Sequence, residues 1–249
     1  MNIIKIIYES KRLLIYLLTI LLFSFGLILA NVEIISYKYS GLATLLLLFF
    51  GSVPVYYGLS KILPNKKNFY VVVVLSILAC LIEYVGLTTG FPYGDFYYSK
   101  LAGPKLVDTL PISVAFAWPP LVIGSYFLFH KEERLLQDIR PVLFLVAMDM
   151  VIDPAAVELG LWGWLEGGLY YNVPLINYFG WLVSSIMGIW VIDKLVKQKP
   201  NQINPWIFFS LFVNLVFWSG FLLGSKMFIP VFLAVFLFYQ LHKKIDFDF

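Results

Sequence analysis

Cysteine, histidine and charge are scarce in this 249-residue chain, and each scarcity excludes something. A single cysteine, Cys80, rules out an internal disulfide framework. It sits in an apolar run with no histidine beside it, so it reads as a core thiol rather than a nucleophile. The two histidines, His130 and His242, fall at the edges of apolar stretches and make a poor metal site. Charged residues are 13% of the chain, against about a quarter in a soluble domain. Hydrophobic residues are 61%, and the mean hydropathy is +0.85. A soluble domain is thereby excluded, and residues 1–249 read as one integral membrane domain. Several motifs are also missing: G-x-x-x-x-G-K-[ST], G-x-G-x-x-G, H-E-x-x-H, C-x-x-C and D-D-x-x-D. No lysine lies at mid-membrane depth in the last two apolar stretches, so a retinal Schiff base is excluded as well. No metal and no cofactor are expected. The net charge of +3 follows from topology and calls for no nucleic acid.

What the chain does have is long apolar runs. A span needs roughly 20 mostly apolar residues. Eight candidates lie near 13–30, 40–60, 69–89, 109–129, 139–153, 174–192, 205–222 and 227–241. The first has a positive start in Lys5, Lys11 and Arg12 but no A-x-A-like cleavage site, so it is expected to be retained as an anchor. The fifth and eighth are short, and a count of six follows if two segments are re-entrant. With the N-terminus inside, fourteen of the eighteen basic residues fall on inner segments. Only Lys38, Lys100, Lys105 and Lys226 fall outside. That asymmetry predicts cytoplasmic N- and C-termini. The expected fold is all-α: a polytopic transmembrane helical bundle of about eight spans, multi-pass in the cell membrane.

Within this apolar background two carboxylates are out of place. The run from Pro141 to Pro154 carries only Asp149 and Asp153 as charges. Four residues apart, they share one helical face. An ionised carboxylate costs at least a few kcal/mol at the bilayer centre, so such a pair marks function. Pro154 lacks an N–H and its ring clashes with the carbonyl of Met150, which predicts a kink or an end near Asp153. Glu83 lies deep in the third run, and Glu158 follows the expected kink. No Lys or Arg lies at membrane depth to neutralise these groups, so they are expected as neutral acids, able to donate a proton to an apolar substrate. Asp95 and Glu166, in outer connections, read as solvated; Glu132 and Glu133 read as ordinary surface.

Aromatic residues supply a matching half. The connections near 90–108 and 154–173 are rich in aromatics and glycine, and prolines 92, 104, 111 and 174 surround them. An interfacial belt explains single rings, but the density points to structured caps over the bundle. Tyr93, Tyr97, Tyr98, Trp118, Trp162, Trp164, Tyr170, Tyr171, Tyr178 and Trp181 cluster there, with Asn177 among them. Aromatic faces attract cations. Protonating a trisubstituted isoprenoid alkene gives a tertiary carbocation, which water would capture as an alcohol and an internal double bond would capture as a ring. Asp149, Asp153 and Glu83 are the candidate catalytic acids. The ten residues Tyr93, Tyr97, Tyr98, Trp118, Trp162, Trp164, Tyr170, Tyr171, Asn177 and Trp181 are the candidate substrate contacts.

The pattern Glu83…Gly86…Gly90-Phe-Pro-Tyr-Gly-Asp-Phe-Tyr-Tyr98…Pro104…Pro111…Trp118, followed by Met148-Asp149…Asp153-Pro154…Trp162-Gly-Trp164…Gly168-Leu-Tyr-Tyr-Asn-Val-Pro174…Asn177-Tyr-Phe-Gly-Trp181, resembles the membrane carotenoid 1,2-hydratases. That family includes bisanhydrobacterioruberin hydratases and γ-carotene 1′,2′-hydratases. The resemblance covers about residues 80–185. It implies cofactor-free addition of water to the terminal double bond of a linear carotenoid or a related isoprenoid lipid. The partners it implies are that substrate, water, the lipid bilayer and other enzymes of carotenoid synthesis. A cyclase using the same cation stays open, as does a proton-coupled transporter with Asp149, Asp153 and Glu83 as a relay. The transporter is disfavoured by the absence of an internal repeat or a second broken helix.

Overall fold

The computed structural model describes residues 3–32, 39–130, 134–196, 200 and 202–244. Lys38, Lys131, Glu132, Glu133, Lys197 and Lys199, used in the charge pattern above, lie outside the described residues. The described chain is an all-α, membrane-type bundle of eight helices. They are α1 (Ile3–Leu29), α2 (Ser40–Ser60), α3 (Asn65–Thr89), α4 (Val114–Leu128), α5 (Arg134–Glu158), α6 (Leu175–Leu195), α7 (Phe209–Gly224) and α8 (Phe228–Lys244). By length and composition, α2, α3, α6 and the Pro205–Gly224 stretch are long and apolar enough to cross a membrane. The apolar parts of α1, α4 and α8 are shorter.

The central element is α4, buried along almost its whole length from Val114 to Leu128. It packs on α2, α3, α5, α6 and α7. The outward faces of α1, α2, α3 and α8 carry exposed Leu14, Phe50, Phe69 and Phe232. Apolar side chains on the outside fit a bundle whose solvent is hydrocarbon. Between α1 and α7 the backbones nearly touch. A Cβ on Gly26 would sit 2.2 Å from the Phe217 carbonyl oxygen, and one on Gly220 would sit 2.1 Å from that of Phe23. Small residues permit such approaches where lipid gives no hydrophobic drive to pack helices.

Of the two outcomes expected at Asp153, a kink or an end, the fifth helix rules out the end. It continues past Asp153 through Pro154 to Glu158, 25 residues in all, or about 37 Å at 1.5 Å per residue. Proline removes the N–H that would satisfy the Met150 carbonyl. Here the Tyr170 hydroxyl, from the following connection, donates to that carbonyl at 3.2 Å. The same repair occurs in α4, where Pro119 leaves the Ala115 carbonyl without its helical donor. Ser76 Oγ of α3 donates to it at 2.9 Å.

At one end of the bundle the two aromatic connections form a cap. Strand β1 (Phe96–Tyr98) pairs antiparallel with β4 (Trp162–Trp164), in the register Phe96↔Trp164, Tyr97↔Gly163 and Tyr98↔Trp162. Between them in sequence, β2 (Lys105–Leu106) pairs with β3 (Leu110–Pro111). The β1–β4 ladder ties the α3–α4 connection to the α5–α6 connection, so both caps are held as one unit. Gly90 ends α3 in the left-handed region at φ 73°, which turns the chain into the cap.

Candidate functional site

Directly under this cap, α5 and α6 bring the two aspartates together. Asp149 and Asp153 are 0% and 3% exposed. One side-chain amide serves both: Asn177 Nδ2, in the first turns of α6, donates to Asp149 Oδ2 at 2.9 Å and to Asp153 Oδ2 at 2.5 Å. An amide nitrogen has two hydrogens, one for each carboxylate. Asp153 Oδ1 accepts from Trp162 Nε1 at 3.2 Å. Asp149 Oδ1 is buried with no hydrogen-bond partner among the described residues.

Glu83, on α3, faces the same space and accepts a hydrogen bond from the Tyr98 hydroxyl. The backbone carbonyl of Tyr98 accepts from Lys105 Nζ at 2.6 Å, which holds β1 against the β2 turn. Burial, then the nearby Glu83 carboxylate, pushes the phenols of Tyr93 and Tyr98 above their ordinary range, so both stay neutral donors. Tyr93 is wedged between two helices. A Cβ on Gly86 of α3 would lie 2.9 Å from its ring, and a Cβ on Gly180 of α6 would lie 2.3 Å from it. Its carbonyl accepts from Trp164 Nε1 at 2.9 Å. Trp118 is seated the same way: a Cβ on Gly188 would lie 2.6 Å from its ring.

A cavity of about 550 Å³ opens beside these groups. Of the candidate acids, Asp153 and Glu83 line it and Asp149 does not; Asp149 is joined to Asp153 through Asn177. Of the candidate contacts, Tyr93, Tyr98, Trp118, Trp162, Trp164, Asn177 and Trp181 line it, and Tyr97, Tyr170 and Tyr171 do not. Tyr97 is 51% exposed and lays its ring over Gly163. Tyr170 supports α5 at Met150 and packs edge-on against Tyr171 and Tyr178, with ring centroids 5.0 and 5.9 Å away. Glu158 is exposed at the end of α5. Among the described residues no three His, Cys, Asp or Glu side chains converge on one metal position.

Sequence reasoning missed three features of this arrangement: the double role of Asn177, the Glu83–Tyr98 pair and the support from Lys105. An asparagine at the start of an otherwise apolar helix was a readable signal for the first. The other two depend on how the caps fold back, and no local pattern announces them.

The arrangement can therefore hold an apolar group among aromatic rings, with two carboxyl groups lining the space and a third close by. No solved structure matches the chain. In the curated comparison it is 29% identical over 188 residues to the bisanhydrobacterioruberin hydratase of Haloarcula japonica, covering 70% of this chain and 63% of that protein. The chain thus spans less than two thirds of that relative's length. A family model described as carotenoid biosynthesis protein matches residues 41–241, which takes in every helix from α2 to α7 and nearly all of α8. The chain belongs to the carotenoid biosynthesis protein family.

Proposed function

We propose that this protein hydrates a terminal isoprenoid double bond of a linear carotenoid or a related isoprenoid lipid, without a cofactor. The observation that carries this reading is a carboxyl pair, clamped by one asparagine, of which Asp153 lines an aromatic-rich cavity. The similarity to a protein named as a bisanhydrobacterioruberin hydratase supports it. Asp153 lines the cavity and is assigned as the proton donor, with Asp149, joined to it through Asn177, as the neighbouring carboxyl group that holds it in place. The proton adds to the alkene carbon that bears hydrogen. The π bond breaks, and the positive charge falls on the carbon that bears two methyl groups. The faces of Trp162, Trp164 and Trp181 stabilise that charge. Water then forms the new C–O bond, and Glu83, which lines the cavity with Tyr98, accepts the proton that the water loses. The net change is one water added, and transfer of the proton from Glu83 back to Asp153 through water in the cavity restores the starting protonation.

The test is expression in a host that makes an acyclic carotenoid, with products read by mass. Hydration predicts a product heavier by one water, lost when Asp153 is replaced by Asn. A cyclised product of unchanged mass would favour ring closure, and an unaltered carotenoid would leave the carrier reading.

The basic-residue asymmetry further supports a multi-pass protein of the cell membrane with both termini cytoplasmic. Reporters fused after residues 64, 135, 197 and 249 should then report inside, and those after 35, 100 and 165 outside. If 135 and 165 report the same side, α5 does not cross and the eight-span count is wrong.

A further inference from the structure

We infer that the cavity is the inner end of a lateral channel between α1 and α2, which admits the long apolar tail of the substrate from the hydrocarbon. This inference rests on the hydratase reading of the carboxylate end. The cavity does not stop at the cap. Away from Asp153 and Glu83 it continues along Leu22 and Phe25 of α1 and Thr44, Leu47 and Gly51 of α2. The main packing of α1 is on α7, while α2 packs on α4 and α7, and the cavity occupies the gap between α1 and α2. Phe25 and Leu47 line it and are also 53% and 68% exposed, so the cavity has a mouth on the outer surface of the bundle. Around that mouth the surface is apolar, which suits a chain arriving from lipid rather than water.

Polar groups on the α7 wall are paired within their own helix. Trp218 Nε1 donates to Asn214 Oδ1 at 3.1 Å, and Asn214 Nδ2 donates to the Ser210 carbonyl at 2.9 Å. That wall therefore makes little polar demand on a passing hydrocarbon.

Gly51 gives the sharpest sign of a space kept open. Every other helical glycine would place a Cβ within 2.9 Å of a neighbouring element among the described residues, so close packing explains each of them. Gly51 has nothing within 4 Å. A mid-helix glycine costs about 1 kcal/mol relative to alanine, and at Gly51 no packing neighbour accounts for it. What faces Gly51 is the channel. A chain of linked isoprene units, long and unbranched in outline, fits a slot that runs from a lipid-facing mouth to a reactive end.

The test uses the full protein purified in detergent from cells that make lycopene. Two readouts are taken: carotenoid absorbance per protein and hydrated product. Gly51→Phe and Gly51→Leu fill the channel, whereas Val53→Phe adds the same bulk to the 45% exposed outer face of α2, away from the channel. Thermal melting confirms folding, and Gly51→Leu decides if the larger ring prevents it. The channel predicts at least roughly tenfold less bound carotenoid in the Gly51 variants, with Val53→Phe matching the parent protein. Bound carotenoid equal to the parent in folded Gly51 variants overturns the channel, as does an equal loss in Val53→Phe. If carotenoid binds in a Gly51-dependent way and no hydration occurs, the channel stands and the hydratase reading falls. If hydration occurs and both Gly51 variants behave as the parent, the reverse holds.

Discussion

The two sides of this bundle are held together by different physics. On the cap side, α3, α5 and α6 are fixed by side-chain hydrogen bonds between different elements: Tyr98 to Glu83, Asn177 to both aspartates, Trp162 to Asp153 and Tyr170 to Met150. On the other side, α1 lies against α7 through glycines and apolar surface, with backbones almost in contact at Gly26 and Gly220. In hydrocarbon the first kind of contact is directional and places atoms for chemistry. The second is close-fitting and places helices. The buried carboxyl groups lie where polar contacts specify position, and the far part of the cavity lies where apolar helices separate. One side should therefore lose activity without losing its fold, and the other should lose stability first.

The largest effect expected is at Asp153. Asp153→Asn keeps the shape and removes the proton, so hydration should fall by at least roughly 10²-fold, the usual contribution of a positioned acid, with an unchanged melting curve. Near-normal turnover in both Asp153→Asn and Asp149→Asn would move the donor role to Glu83. Next come the tryptophans. Replacing Trp162, Trp164 or Trp181 by Leu retains bulk and loses a cation–π contact of about 2 kcal/mol, or roughly 30-fold in rate. Replacement by Phe should cost less. Trp181 is the cleanest position, because Trp162 also bonds Asp153 and Trp164 also bonds Tyr93. Equal rates for Phe and Leu at all three would reduce these rings to packing.

On the opposite side, Gly220→Leu should lower stability by about 1–3 kcal/mol through overpacking against Phe23. The change would be read as a lower melting temperature, with the remaining folded protein still active. If this variant melts normally, α1 is not packed on α7 as described.

The smallest effect is at Tyr170, which repairs α5 from outside the cavity. Tyr170→Phe removes one hydrogen bond, worth about 1 kcal/mol, and should change turnover only slightly. Burial pushes the Tyr170 phenol up to about 12. A phenol whose folded pKa is raised contributes stability in full below its unfolded value near 10, and that contribution is lost as pH rises from there through about 12. Tyr170→Phe should remove that part of the alkaline decline. An unaltered decline would place its origin in other tyrosines.

How much of this was legible depended on how local the cause was. The second apolar run read at 40–60 coincides with α2, Ser40–Ser60, because hydrophobicity and turn residues are local. The four-residue spacing of Asp149 and Asp153 likewise placed both on one face. The helix does not end at Pro154, and the Met150 carbonyl that the proline leaves free is met by Tyr170, twenty residues away and in the following connection. The Asn177 clamp joins positions 24 and 28 residues apart, and the Tyr98 that meets Glu83 sits on a strand paired across to β4. The gap between α1 and α2 was invisible for a further reason. It depends on where two helices do not pack, and no single stretch of sequence records that.

The central claim is that water is added across a carbon–carbon double bond by the carboxyl groups beneath the cap. The most direct measurement is the reaction of purified protein with an acyclic carotenoid in D2O, followed by exchange back into ordinary water and mass analysis. The account predicts one carbon-bound deuterium for every hydroxyl gained, and no product from Asp153→Asn. A hydroxylated product without carbon-bound deuterium, or a product of unchanged mass, would contradict it.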